Sequence, residues 1–174
     1  MPIEPTFYET RSLGRGLALL RIFFGVILFS NGLSKLFNFT DISLGPYSGN
    51  LVDRDLARTI LENETARSRL PFLESVVETV MLSHWGIVQW LITGMELGVG
   101  ALLIVGLATR AAALLDLGQQ LFLAAVYFSS NRWVFEQPHE YIPLLILALV
   151  PAGRVWGLDG RLIRKQPGWR HWPF

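Results

Sequence analysis

The sequence of 174 residues contains no cysteine, and only 17% of its residues are charged. Without cysteine the chain cannot form disulfides, thiolate nucleophiles, iron–sulfur ligation or cysteine zinc sites. It has no run of basic residues, and a net charge of +1 argues against nucleic acid as a partner. A soluble domain of this length needs more charge to cover its surface. Hydrophobic residues, by contrast, make up 51% of the chain.

The first apolar segment, residues 17–37, is long enough to cross a membrane, because a helix of roughly 20 residues spans the hydrocarbon core. Yet this segment carries Arg21, Asn31 and Lys35. Ionisable groups inside such a helix are costly and persist only where they face protein, water or a ligand. We therefore expect a membrane protein with a polar interior, and we expect its function to lie in that interior.

Three further apolar segments cover residues 85–107, 111–128 and 141–156. The sequence thus predicts an all-α fold, a four-helix transmembrane bundle that forms a single integral membrane domain over residues 1–174. The outer loop, residues 38–84, connects the first two spans, and residues 157–174 form a tail. Within the loop, residues 41–50 are rich in Gly, Ser and Pro and are expected to be irregular. Residues 51–70 show the spacing of an amphipathic helix, which lies on the outer surface or covers the bundle mouth, and residues 72–82 are expected to form a second short helix.

The distribution of basic residues predicts the orientation of the chain. Four spans place both termini and Arg110 on one side, and most basic residues outside the outer loop belong to that side. On the outer loop, arginines are diluted by many acids. By the positive-inside rule, both termini and the tail are expected to be cytoplasmic.

Polar side chains align on three of the four predicted spans, because successive residues of a helix are about 100° apart. The aligned residues are Arg21 and Lys35 in the first span, Gln89 and Glu96 in the second, and Asp116, Gln120 and Tyr127 in the third. Counting residues from the span ends, we expect Arg21 to pair with Asp116 or Glu96. Two interpretations of this polar seam remain open: side chains that tie helices together, and a cavity for a polar head group or a proton path.

A second group of polar residues falls near the outer ends of the predicted spans. Its members are Asn31, Lys35, His84, Trp133, Glu136, His139 and Glu140. Here we expect Lys35 to pair with Glu136 or Glu140. The group is compatible with a solvated interfacial loop, with a head-group site for a ligand such as a quinone, or with a metal site. Its spacing matches no strong metal motif, so we assign no metal and no intrinsic cofactor.

Residues 20–25 read LRIFFG, and residues 31–37 read NGLSKLF. Residues 96–112 read ELGVGALLIVGLATRAA, and GR at 153–154 is followed by GLD at 157–159. In this order, the segments resemble the opening helix, the second helix and turn, and the exit from the last helix of the DoxX family and its relative DoxD, the membrane subunit of thiosulfate:quinone oxidoreductase. The resemblance implies a four-helix bundle in the inner (plasma) membrane, with Arg21, Lys35 and Glu96 at family-like polar positions.

Three classes of function remain open at this point. The first is a membrane subunit of a redox complex, in which the bundle binds quinone or anchors a soluble partner. The second is a noncatalytic structural or assembly subunit of a larger membrane complex, and the third is a conduit for small solutes or protons. In each case the expected partners are the lipid bilayer and either other membrane subunits or further copies of the chain.

Overall fold

The computed structural model describes residues 7–131 and 138–166, and the chain is mostly helical. The α-helices of these ranges are α1 (Phe7–Phe37), α2 (Arg54–Thr65), α3 (Pro71–Val76), α4 (Trp85–Val105), α5 (Thr109–Val126), α6 (Pro138–Leu149) and α7 (Leu158–Lys165). A π-helix, Val77–Leu82, joins α3 to α4. Short 3-10 turns follow α5 (Tyr127–Ser129) and α6 (Ala152–Arg154).

Three of these helices are long and apolar enough to cross a membrane. They are α1 from Thr10, α4, and α5 together with the 3-10 turn that follows it. The expected fourth span is shorter than predicted, because α6 has only 12 residues. At about 1.5 Å per residue it extends for about 18 Å, less than the hydrocarbon thickness of about 30 Å.

The connection between α1 and α4 contains an antiparallel hairpin where the composition predicted an irregular loop. Strand β1 (Asp41–Leu44) pairs with β2 (Tyr47–Asn50), with Leu44 opposite Tyr47. The two-residue turn between them places Gly45 at φ 62°, a conformation that glycine adopts without steric cost and that tight hairpins favour. The prediction for residues 41–50 was therefore wrong, because the Gly-Pro pair marks a turn between two short strands.

The amphipathic helix expected after the hairpin is present as α2. Its first turn is capped by Asp53, whose carboxylate accepts a hydrogen bond from the backbone N–H of Leu56 at 2.8 Å. Such a cap satisfies one of the donors that a helix start leaves unpaired. Near the other end of α2, the Ser130 hydroxyl donates to the Glu64 carboxylate, and the Ser129 hydroxyl accepts from the N–H of Arg69 at 2.9 Å. Both contacts hold the segment between α1 and α4 against the residues that follow α5.

Helices α1 and α4 form the most extensive helix pair of the described structure. Glycines allow this close approach: a Cβ on Gly100 would lie 2.6 Å from the backbone N of Phe29, and one on Gly25 would lie 2.8 Å from that of Ile104. Gly94 and Gly98 have the same spacing of small residues on α4, but neither would bring a Cβ within 4 Å of another element.

Different helices cover the two ends of the bundle: α2 covers one end, and α7 covers the other. At the α2 end, Leu61 of α2 packs with Val77, Trp85 and Val126 in a buried cluster. At the α7 end, helix α4 stops at Gly106, which has φ 69°, and α5 begins three residues later. The carboxylate of Asp159 in α7 accepts hydrogen bonds from the N–H groups of Ala108 and Thr109, at 2.7 and 3.1 Å. Helix α7 thus closes the turn between α4 and α5.

Candidate functional site

A cavity of about 780 Å³ lies between α1, α4 and α5 and reaches the α2 end of the bundle. Most of its wall is apolar, with Phe24 and Leu28 from α1, Met95 from α4 and Phe122 from α5. A limited number of polar side chains interrupt this wall. Cavities of this size and character are typical of sites for amphipathic small molecules.

The cavity is also accessible from the side of the bundle. Helix α1 packs mainly on α4, and α5 packs mainly on α6, whereas α1 and α5 make few contacts with each other. Along this gap, Phe23 and Ile27 of α1 and Leu115 of α5 line the cavity and remain 59%, 40% and 58% exposed. An apolar molecule can therefore enter between α1 and α5 without crossing a polar surface.

A buried ion pair forms the polar wall near the middle of the cavity. Lys35 Nζ lies 2.9 Å from Glu96 Oε2, and both side chains are less than a tenth exposed. Lys35 also donates to the carbonyl of Val52 at 2.9 Å. The Asn31 amide oxygen accepts from the Val52 N–H at 3.2 Å, so the segment before α2 is held against α1. On the other side of the pair, Gln119 Nε2 donates to Glu96 Oε1 at 3.3 Å.

This pairing differs from the one expected from the sequence, in which Lys35 meets Glu136 or Glu140. Because α1 and α4 pack closely, the Lys35 side chain of α1 reaches Glu96 of α4 instead. Glu140 lines the cavity at the start of α6 together with His139, and Glu136 lies outside the described residues.

Farther toward the α7 end, Asp116 and Gln120 of α5 line the same cavity. Asp116 is only 2% exposed, and its side chain interacts with that of Gln120. It also lies within electrostatic range of Glu96 and Glu140. Among the described residues, neither Asp116 Oδ2 nor Gln120 Oε1 has a hydrogen-bond partner. The cavity thus combines one buried cation with several carboxylates.

Arg21 belongs to a different region, although the polar stripe on α1 grouped it with Lys35. Its guanidinium is fully buried at the α7 end and donates to the carbonyls of Leu103, Ile104 and Trp156, at 2.5, 3.2 and 3.4 Å. The expected pairing with Asp116 or Glu96 was therefore wrong. Backbone carbonyls at the end of α4 lack helical partners, and Arg21 satisfies them.

The other predicted site residues divide between the cavity and its surroundings. Tyr127 lines the cavity. Gln89 lies outside it, in a small groove beside Trp85, and donates weakly to the carbonyl of Gly86 at 3.5 Å. His84 is exposed at the start of α4, where its ring contacts the Ser83 hydroxyl at 2.8 Å. Trp133 lies outside the described residues.

One contribution to the cavity was not predicted, and another was left open. Gln119 was missed, although it lies three residues after Asp116 and therefore shares a face of α5 with it. Helix α2, through Ala57, Ile60 and Leu61, and Val52, two residues before it, also line the cavity. The sequence left two positions open for this helix, on the outer surface or over the mouth of the bundle. In the structure it lies over the mouth.

The described part of the chain contains no group of three or more His, Asp and Glu residues placed to hold a metal ion. In the comparison with protein families, the model described as DoxX matches residues 16–129, from within α1 to the turn after α5. No curated protein and no solved structure matches the chain. The matched region, which is more than half of the chain, contains all three long apolar helices and most of the cavity wall.

Proposed function

The chain belongs to the DoxX family and is a multi-pass membrane protein, and from this premise we propose that it is the membrane subunit of a redox complex. In this proposal the cavity binds an isoprenoid quinone. The single observation that carries the proposal is the cavity itself: a largely apolar space of about 780 Å³ inside the membrane region, with a buried Lys35–Glu96 pair on its wall.

The walls of the cavity fit the two parts of such a ligand. A quinone has a ring with polar oxygens and an apolar isoprenoid tail. The polar side chains of α1, α4 and α5 face the space that a ring would occupy, and the gap beside Phe23 and Leu115 would let the tail extend into lipid. A polar head group inside a membrane requires such partners, because unsatisfied polar groups are costly there.

The proposal includes a complete bundle of four crossing segments in the plasma membrane, with both termini cytoplasmic. Helix α6 starts at the α2 end, and Asp159 contacts the turn between α4 and α5 at the opposite end. The chain therefore passes from one end of the bundle to the other through α6 and the residues after it. The expected partners are other membrane subunits or further copies of the chain, and in this proposal the electron carriers belong to other subunits.

Photolabelling with an azidoquinone tests this proposal on the purified protein. We expect labelled peptides to come from α1, α4 and α5 around the cavity, and we expect excess decylubiquinone to suppress the label. Gly118→Leu should lower specific labelling about tenfold or more, because Gly118 lines the cavity and a larger side chain there occupies ligand space. A Cβ at Gly118 meets nothing within 4 Å, so the variant should fold.

Gly94→Leu is the matched control. Gly94 also has nothing within 4 Å of an added Cβ, but it lies outside the cavity, so specific labelling should stay unchanged. A label that excess decylubiquinone does not compete, or one reduced equally in both variants, would overturn the proposal. Either result would favour a structural or assembly subunit.

A further inference from the structure

The part of the cavity nearest the α7 end has hydrogen-bond acceptors that no group of the described residues satisfies. Asp116 is almost completely buried, yet its Oδ2 has no partner there. The same holds for Oε1 of Gln120, about one helical turn farther along the same face. Buried acceptors without a donor cost free energy, so a ligand that donates hydrogen bonds would be stabilised at this position.

The orientation of the Gln120 amide follows from its contact with Asp116. A carboxylate accepts hydrogen bonds, so the amide NH₂ of Gln120 faces it and the amide oxygen points away. Reversing the amide would bring two oxygens together. Both orphaned atoms, Asp116 Oδ2 and Gln120 Oε1, are therefore acceptors, and both residues line the cavity.

The donors on the neighbouring wall already serve protein groups. Lys35 contacts Glu96 and the carbonyl of Val52. The Gln119 amide donates to Glu96, and the Asn31 amide donates to the carbonyl of Ile27 at 3.2 Å. Around Asp116, then, the unmet requirement is for donors.

We propose that the cavity selects the reduced, hydroxyl-bearing quinol over the oxidised quinone, with a ring hydroxyl donating to Asp116 Oδ2 or to Gln120 Oε1. This inference rests on the proposed function and names the redox form that the site prefers. The two forms share one tail and nearly one shape, but the quinone carries only acceptor oxygens at the ring positions in question. Its carbonyl would add a further acceptor beside two that already lack donors. We expect the quinol to bind about tenfold more tightly or better, as one buried unsatisfied group implies.

Ligand-induced protection against thermal unfolding measures this preference, because a ligand that binds only the folded protein raises Tm according to its concentration and Kd. Decylubiquinol and decylubiquinone are titrated under anaerobic conditions into the purified full-length protein. The protection that remains in Gly118→Leu, which fills the cavity, is subtracted as nonspecific. Decanol is titrated in parallel as a hydroxyl-bearing amphiphile without the ring.

The possible outcomes separate this inference from the proposed function. Half-maximal protection at a tenfold lower concentration of the quinol supports the inference. Equal protection by both forms overturns it and leaves the proposed function standing, whereas protection by neither overturns both. Protection by decanol at the same concentrations as the quinol would also overturn the inference, since a hydroxyl alone would then account for binding.

Two variants test the assigned acceptors. Asp116→Asn replaces an acceptor with an amide that can donate, so the preference for the quinol should fall toward one. Gln120→Lys removes the second acceptor and keeps a donor beside Asp116, so it should lower the preference in the same direction, which keeps the test valid should Asp116→Asn fail to fold. Gln89→Leu, outside the cavity, should leave the preference unchanged. An unaltered preference in both cavity variants would contradict the assignment.

Discussion

Individual charged residues of the spans have distinct roles that their helical positions do not reveal. Arg21 and Lys35 share one stripe of α1, but Arg21 binds backbone carbonyls at the α7 end and Lys35 binds Glu96 at the cavity. Periodicity predicts which face of a helix a residue occupies. It does not predict how far two helices are shifted along their axes, and that shift decides which charges meet. The residues could therefore be predicted from the sequence, whereas their partners could not.

We predict that the single substitution Arg21→Met destabilises the protein. The substitution leaves the carbonyls of Leu103 and Ile104 without their donor, at a cost of roughly 1–3 kcal/mol for a buried group. Thermal unfolding in detergent should show a lower Tm than that of the parent protein. Arg161→Met, on an exposed position of α7, is the control and should unfold at the parent temperature. Equal Tm values for both variants would contradict the role assigned to Arg21.

Among the secondary-structure elements, the long helices were predictable and the connection was predictable only in part. Apolar runs of bilayer length indicated α4 and α5 to within a few residues, and they indicated the end of α1 at Phe37 but not its start at Phe7. Apolar spacing with charges on the other face indicated α2. The hairpin was missed because its strands have four residues each and lack an alternating apolar pattern. Its formation depends on the Gly45 turn, and composition alone does not distinguish such a turn from an irregular loop.

We predict that the close contact between α1 and α4 stabilises the protein. Gly100→Ala would place a Cβ 2.6 Å from the backbone of Phe29, so the helices must separate and Tm should fall. Gly98→Ala lies on the same helix with nothing within 4 Å. There the higher helix propensity of alanine, about 1 kcal/mol, should leave Tm unchanged or raise it. Equal effects of the two substitutions on Tm would show that the close contact does not stabilise the pair.

For the whole molecule, several membrane-spanning helices could be predicted from the apolar segments, but the volume and position of the cavity could not. Its volume depends on α1 and α5 standing apart while each packs on another helix, and no single segment encodes that spacing. The polar residues of three spans indicated a polar interior, but they did not indicate its size or shape. The covering by α2 follows from contacts with residues more than 60 positions away, such as that between Glu64 and Ser130.

Single cysteines test the proposed topology, since the natural chain has none to interfere. Arg11→Cys, Ser48→Cys and Arg164→Cys introduce thiols at exposed positions near the start, in the hairpin and in α7. In intact cells, a membrane-impermeant thiol reagent should label only the hairpin cysteine. The other two should react after permeabilisation. Labelling of Arg164→Cys from the same side as Ser48→Cys would mean that α6 does not complete a fourth crossing.

The contact of Asp159 with the turn between α4 and α5 has a consequence for biogenesis. The N–H groups that it caps belong to Ala108 and Thr109, about 50 residues earlier in the chain. A nascent chain exposes this turn to the translocation machinery long before its cap has left the ribosome. The α4–α5 hairpin must therefore persist without its cap until α7 is synthesised, and α7 then completes a junction that lies about 50 residues earlier in the chain.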